Sequence, residues 1–143
     1  MKAKPLLLDV NLLLALAWPN HIHHRDASIW FAHGARQSFS TCPITQTGFV
    51  RISSNPAFTP AAVTPPQALD LLDRIVQLPG HEFWTDDLPL PAAIAGSRIF
   101  GHRQVVDLYL LKLAASHGGM LATLDRGAAA LAKRETIPVV LAG

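Results

Sequence analysis

The sequence predicts an α/β fold: one domain over residues 1–143, in three layers (α/β/α) around a central, mostly parallel sheet. Three observations carry this. Short apolar runs at 5–10, 120–124 and 137–141 lack polar alternation, as strands buried on both faces do. Around them lie segments with apolar residues at helical spacing. Strands and helices also alternate along the chain, the order that builds crossovers and parallel pairing.

Composition narrows the class. Half of the 143 residues are apolar and 15% are charged, so the chain can bury a core and is not a disordered one. The net charge is +2 and the eight Arg outnumber the four Lys, which is compatible with a nucleic-acid partner without requiring one. Cys42 is the only cysteine, so there is no internal disulfide framework and a reducing compartment is expected. Lys2, Lys4, an apolar run and Ala15-Leu16-Ala17 imitate a secretory signal, but Asp9 and Asn11 break the run. No apolar stretch has the length to span a bilayer. The expectation is a cytoplasmic protein with no membrane partner.

The elements follow in order. Residues 5–10 read as a buried strand that turns into a helix over 11–17, which Pro19 ends. Asp9 then lies at the carboxyl end of a strand, where ligands bind in open α/β sheets. His21, His23 and His24 match no structural zinc spacing and read as a solvated loop. Ala27, Trp30 and Phe31 place an amphipathic helix over 26–35. Residues 38–52 start with a short polar stretch and Pro43, then continue as a helix. A loop over 55–64 leads to a clear helix start, with Thr64 as N-cap, Pro65 first and Gln67 closing a capping box. Leu69, Leu72, Ile75 and Val76 form its buried stripe; Asp70, Asp73 and Arg74 form its wet side. Residues 81–84 are a second strand, and 90–100 hold a short helix that runs through Phe100 to Gly101. The strongest helix spans 103–116 and is stopped by Gly118-Gly119. A strand at 120–124, a helix over 127–133 and a strand at 137–141 complete the chain.

The ten acids can be sorted one by one. Asp26, Asp70, Asp73, Glu82, Asp86, Asp87 and Glu135 have polar neighbours or lie in loops, and a solvated charge explains them. Asp9, Asp107 and Asp125 do not fit that description. Asp9 sits among leucines, Asp107 shares a helical face with Leu110, Leu111 and Ala114, and Asp125 follows an apolar strand. A lone Asp125 is as well explained as a helix N-cap. Three such acids brought together would repel one another unless a cation sat among them. Oxygen ligands without cysteine or an obligatory histidine suit a hard divalent ion, Mg²⁺ or Mn²⁺.

Four segments now resemble a known family. Leu-Leu-Asp-Val-Asn-Leu-Leu-Leu at 7–14, Ile-Thr-Gln-Thr-Gly-Phe-Val-Arg at 44–51, Gly-His-Arg-Gln-Val-Val-Asp-Leu-Tyr-Leu-Leu at 101–111 and Leu-Ala-Thr-Leu-Asp-Arg-Gly at 121–127 resemble the signature segments of PIN-domain proteins, VapC-type toxins of bacterial toxin–antitoxin pairs in particular. The resemblance implies a metal-dependent endoribonuclease. Asp9, Asp107 and Asp125 fall on the family's catalytic, metal-binding acids. Asn11 falls on the polar residue that orients the first acid, and Thr123 on a hydroxyl position beside the last. Gln46 falls where many members have Glu, a departure that removes a charge and weakens metal affinity. The resemblance further implies a homodimer and an antitoxin that covers the acidic cleft.

The expected chemistry is hydrolysis of an RNA phosphodiester by in-line attack of water, the ion lowering the water's pKa and neutralising the phosphate. Asp9 and Asp107 are the principal ligands, with Asp125 an outer ligand or water-orienting group. Arg51, Arg103 and Arg126 adjoin the signature segments and either hold phosphates or pair with acids. A single-stranded loop is the favoured substrate because its bases can reach a cleft. Trp18, Trp30 and Trp84 offer faces for stacking on bases, but lone aromatics belong more often to the core. Two other readings compete: a PIN-like binding domain weakened at Gln46, and a phospho-acceptor receiver domain, which also clusters acids at strand ends.

Overall fold

A computed structural model describes residues 4–99 and 101–142; Lys2 and Phe100, named above, lie outside the described residues. Five strands, β1 (Leu6–Leu8), β2 (Phe39–Thr41), β3 (His81–Phe83), β4 (Met120–Thr123) and β5 (Val139–Leu141), form one sheet in the order β3-β2-β1-β4-β5. Every pairing is parallel, with Leu6 opposite both Phe39 and Met120. The helices are α1 (Val10–Ala17), α2 (His24–Ala32), α3 (Pro43–Ser53), α4 (Pro65–Val76), α5 (Leu90–Ile94), α6 (Arg103–Ser116) and α7 (Arg126–Arg134).

Successive side chains of a strand face opposite ways, and this explains the unbroken apolar run at the N-terminus. Leu7 packs with Leu121 against Leu108, Leu111 and Leu131 on one face of the sheet. Leu8 packs with Phe39 and Ala122 against Leu12, Leu13, Phe49 and Leu72 on the other. A parallel sheet with helices over both faces gives the three expected layers.

The sheet order also locates a crevice. From β1 the chain builds outward through β2 and β3, then returns to lay β4 and β5 on β1's other side. The switch point lies between β1 and β4, and ligands of such sheets bind beyond the carboxyl ends of the strands there. A receiver domain has the strand order 2-1-3-4-5 instead, so that reading falls.

Several local expectations are corrected. β2 lies inside the polar stretch at 38–42, and all three of its residues are buried. Leu69 is 57% exposed, because α4 turns Ala68 and Leu72 to the sheet and carries Leu69 past the contact. Gly96, in the left-handed region at φ 75°, follows the end of α5, so this helix stops well before Gly101. His24 opens α2, and its Nδ1 lies 2.7 Å from the Ala15 carbonyl oxygen.

Other elements stand as the sequence predicts. Thr64 and Gln67 form the capping box of α4. α6 spans 103–116, and Gly118, at φ 72°, follows it. Trp18 and Trp84 are buried, and Trp30 packs against the core.

Candidate active site

Asp9 ends β1 and caps α1. Its amide donates to the Ala122 carbonyl at 2.9 Å, which continues the β1–β4 ladder, and its Oδ1 accepts the Val10 amide at 2.8 Å. The Thr123 hydroxyl donates to Oδ2 at 2.8 Å. The side chain is only 7% exposed. Burial pushes its carboxyl above the ordinary range and Asp125 adds to this, while the bonds from Thr123 and Val10 pull the other way.

Asp107 lies on the first half of α6, half-buried and ahead of the buried Leu108, Leu110 and Leu111. Its carboxyl is pushed up to about 6, first by desolvation and then by the charges of Asp9 and Asp125. Asp125 is exposed and caps α7, its Oδ1 accepting the Gly127 amide at 2.8 Å. The N-cap reading is therefore correct for Asp125, and the same carboxylate also acts electrostatically on the other two. The fold thus brings the three predicted acids, from three elements, within electrostatic range of one another. Among the described residues, no three His, Cys, Asp or Glu side chains converge closely enough to hold one ion as they lie.

The supporting residues divide. Thr123 contacts Asp9 directly and accepts the Asp125 amide at 3.0 Å, so one hydroxyl ties two acids together. Asn11 braces the turn after β4, its Oδ1 accepting the Leu124 amide at 3.4 Å and lying 3.5 Å from the Thr123 hydroxyl. Gln46 turns its amide to Thr41 Oγ1 at 2.9 Å, and that hydroxyl lies 2.7 Å from His81 Nε2. Arg103 and Arg126 are exposed at the first positions of α6 and α7. Arg51 lines the cleft into which Asp9 opens.

That cleft has a volume of about 520 Å³. Its walls are mostly apolar, from Val10, Pro43, Ile44, Ile52 and Val106, with Gly48 at the contact between α1 and α3. A Cβ on Gly48 would meet Val10 Cγ2 at 2.8 Å, so this glycine keeps the two helices close. Asp86 also lines the cleft; it is an exposed loop residue, as the sequence predicts, and what the sequence does not show is that its loop borders this cleft. Its polar neighbours in sequence hide the apolar walls that α3 and α6 bring to it. The loop bearing it is pinned. The Trp84 amide donates to the Thr41 carbonyl at 2.9 Å, and the buried Tyr109 hydroxyl lies 3.1 Å from the Asp86 carbonyl oxygen and 2.8 Å from that of Leu88.

A parallel α/β sheet that gathers carboxylates at its switch point, beside a cleft that Arg51 also lines, is the arrangement of a PIN-like domain. Comparison with known proteins agrees. Ribonuclease VapC39 of Mycobacterium tuberculosis is 44% identical over 136 residues, covering 94% of this chain and 98% of the relative. Ribonuclease VapC38 of the same organism is 43% identical over 136 residues, covering 94% and 96%. The chain belongs to the VapC family of ribonucleases. No family model matches it.

Among solved structures, FitAcB from Neisseria gonorrhoeae aligns with a TM-score of 0.63 at 20% identity, covering 94% of this chain and 96% of that one. VapBC2 from Rickettsia felis, bound to a DNA fragment from its promoter, aligns with a TM-score of 0.60 at 14% identity, covering 95% and 96%. At such identities the likeness is one of fold.

Proposed function

We infer that this chain is a ribonuclease of the VapC type, the toxin of a toxin–antitoxin pair, and that it cleaves RNA phosphodiester bonds at the Asp9–Asp107–Asp125 cluster. The family membership supports the activity. The observation that carries the site is the shared upward push on Asp9 and Asp107, which comes from burial and from neighbouring acids, with no cation among the groups that shift either. Two carboxyls raised by burial and, to a lesser degree, by neighbouring acids fit a hard divalent cation, and Mg²⁺ or Mn²⁺ is the proposed cofactor. Bound there, the ion supplies charge neutralisation at the phosphate and a more acidic water.

The chain's own residues do the rest. Asp9, held by Thr123 and the Val10 amide, and Asp107 are the principal ligands. Asp125, exposed at the head of α7, orients the attacking water. Arg51 at the cleft rim holds a phosphate oxygen, with Arg103 and Arg126 as outer phosphate contacts. Gln46, engaged by Thr41, adds no charge to the set. We read residues 1–143 as one domain, since a single sheet takes strands from both ends of the chain. Among the described residues no helix is long and apolar enough to cross a membrane. The proposed setting is cytoplasmic. A cognate antitoxin is the proposed partner, supported by the family and by the fold shared with VapBC2. A homodimer is proposed on the family resemblance.

The test is cleavage of a fluorogenic RNA in Mg²⁺ or Mn²⁺. Wild-type protein is expected to cleave, and Asp9→Asn and Asp107→Asn to lose all but a residue of activity. Undiminished cleavage by both variants would remove the site from consideration. Co-expression with a candidate antitoxin is expected to give a stable complex, and light scattering reads the dimer.

A further inference from the structure

We propose that the apolar cleft beside Asp9 is a nucleobase subsite, and that Asp86 is its specificity-determining residue, selecting guanine next to the cleaved bond. The proposal rests on the ribonuclease reading and adds to it the base that the enzyme reads. Asp9 and Arg51 line the same cleft, so an occupant lies beside both the acid cluster and a phosphate-binding cation. A phosphate alone has no use for walls of Val10, Ile44, Ile52 and Val106, whereas the faces of an unstacked base do. The volume, about 520 Å³, lies within the usual range for ligand clefts.

Asp86 supplies the polar edge. It lies in the loop after β3, on a different element from the three acids, and borders the same cleft as Asp9. An ionised carboxylate is an acceptor only. Guanine offers it two adjacent donors, N1–H and the N2 amino group, one for each oxygen. Adenine and cytosine place a ring-nitrogen lone pair beside their amino group, and uracil sets its single N–H between two carbonyls. Guanine is therefore favoured and uracil the worst fit. Asp86 is exposed, so its carboxylate is open to a ligand, and the Tyr109 and Trp84 hydrogen bonds hold the backbone of the loop that presents it.

Two measurements test this. Cleavage of a randomised single-stranded RNA pool, read by sequencing the ends, is expected to enrich guanine over uracil roughly tenfold or more at one position flanking the cut. Asp86→Asn should flatten that preference or move it toward adenine, which an amide pairs well. Tyr109→Phe removes no group from the cleft and should weaken the preference by loosening the loop. In the second measurement, Asp9→Asn protein is titrated with short fluorescent oligonucleotides that differ at one base. Guanine should bind more tightly than uracil, and adding Asp86→Asn should erase the difference.

A guanine preference that survives Asp86→Asn overturns the proposal. So does unchanged base preference with weakened antitoxin binding, which would make the cleft a protein-docking site. If wild-type protein cleaves no RNA, the ribonuclease reading falls, and the oligonucleotide titration still decides whether the cleft selects a base.

Discussion

Asp9 and Asp107 cost the ion-free protein stability, and the pH dependence of that cost has a definite sign. The folded state holds the Asp107 proton up to about pH 6, whereas an unfolded aspartate releases it near 3.8. The stability linked to that proton is fully present below the unfolded value and is lost as pH rises through about 6. In chelator at pH 7.5, Asp107→Asn should therefore stabilise the fold by on the order of 1 kcal/mol, since the group is half-exposed and screened. Near pH 4 the advantage should vanish. Thermal melts at both pH values check this, and equal melting differences at both would contradict it. Thr123→Val offers a second test. It removes the donor to Asp9 and the acceptor of the Asp125 amide, at a cost of about 1–2 kcal/mol. It should also raise the Asp9 pKa further, so calorimetry should find metal binding weakened more at lower pH than at higher pH. The sequence makes Asp9, Asp107 and Asp125 legible because their neighbours along the chain are apolar. It shows Asp86 as a loop charge but not its place beside the cleft, whose apolar walls come from distant helices.

Asp125 shows how one element serves structure and chemistry with the same carboxylate. As the N-cap of α7 it satisfies the Gly127 amide, and as an acid it raises Asp9 and Asp107. The two roles can be separated. Asp125→Ala should lose about 1 kcal/mol together with activity, while Asp125→Ser keeps a capping oxygen and should melt within a few tenths of a kcal/mol of wild type yet remain inactive. A serine variant with full activity would reduce Asp125 to a cap. Capping chemistry is what the sequence states most clearly: Thr64, Pro65 and Gln67 fix the start of α4 to the residue. β2 was illegible for the opposite reason. It is three residues long, two of them hydroxyl-bearing, and its place next to β1 makes it a strand with no pattern of its own. Ser40 shows the consequence, a hydroxyl buried between β1 and β3 with no hydrogen-bond partner. Leu69 reads as core by spacing alone, but the width of the α4 contact leaves it outside.

At the scale of the molecule, the acid cluster and the sheet are one construction. The alternation of elements predicts three layers and parallel pairing, yet strand order depends on contacts far apart in sequence, so the switch point becomes visible only in the fold. An ion held there binds the folded state and not the unfolded one. At a hundred times its Kd, Mn²⁺ should stabilise the protein by about 2.7 kcal/mol. A thermal shift should follow the metal, disappear in Asp9→Asn, and shrink at pH 5 as Asp107 takes up its proton. A shift that persists in Asp9→Asn would locate the ion elsewhere. The order of the strands also sets a schedule. β1 leaves the ribosome well before β4, one of its two neighbours in the sheet, and the bond from Thr123 to Asp9 spans 114 positions. A nascent chain still short of residue 120 carries Asp9 and Asp107 without β4, Thr123 or Asp125, so a cell meets the assembled acid cluster only after β4 and the head of α7 have been translated.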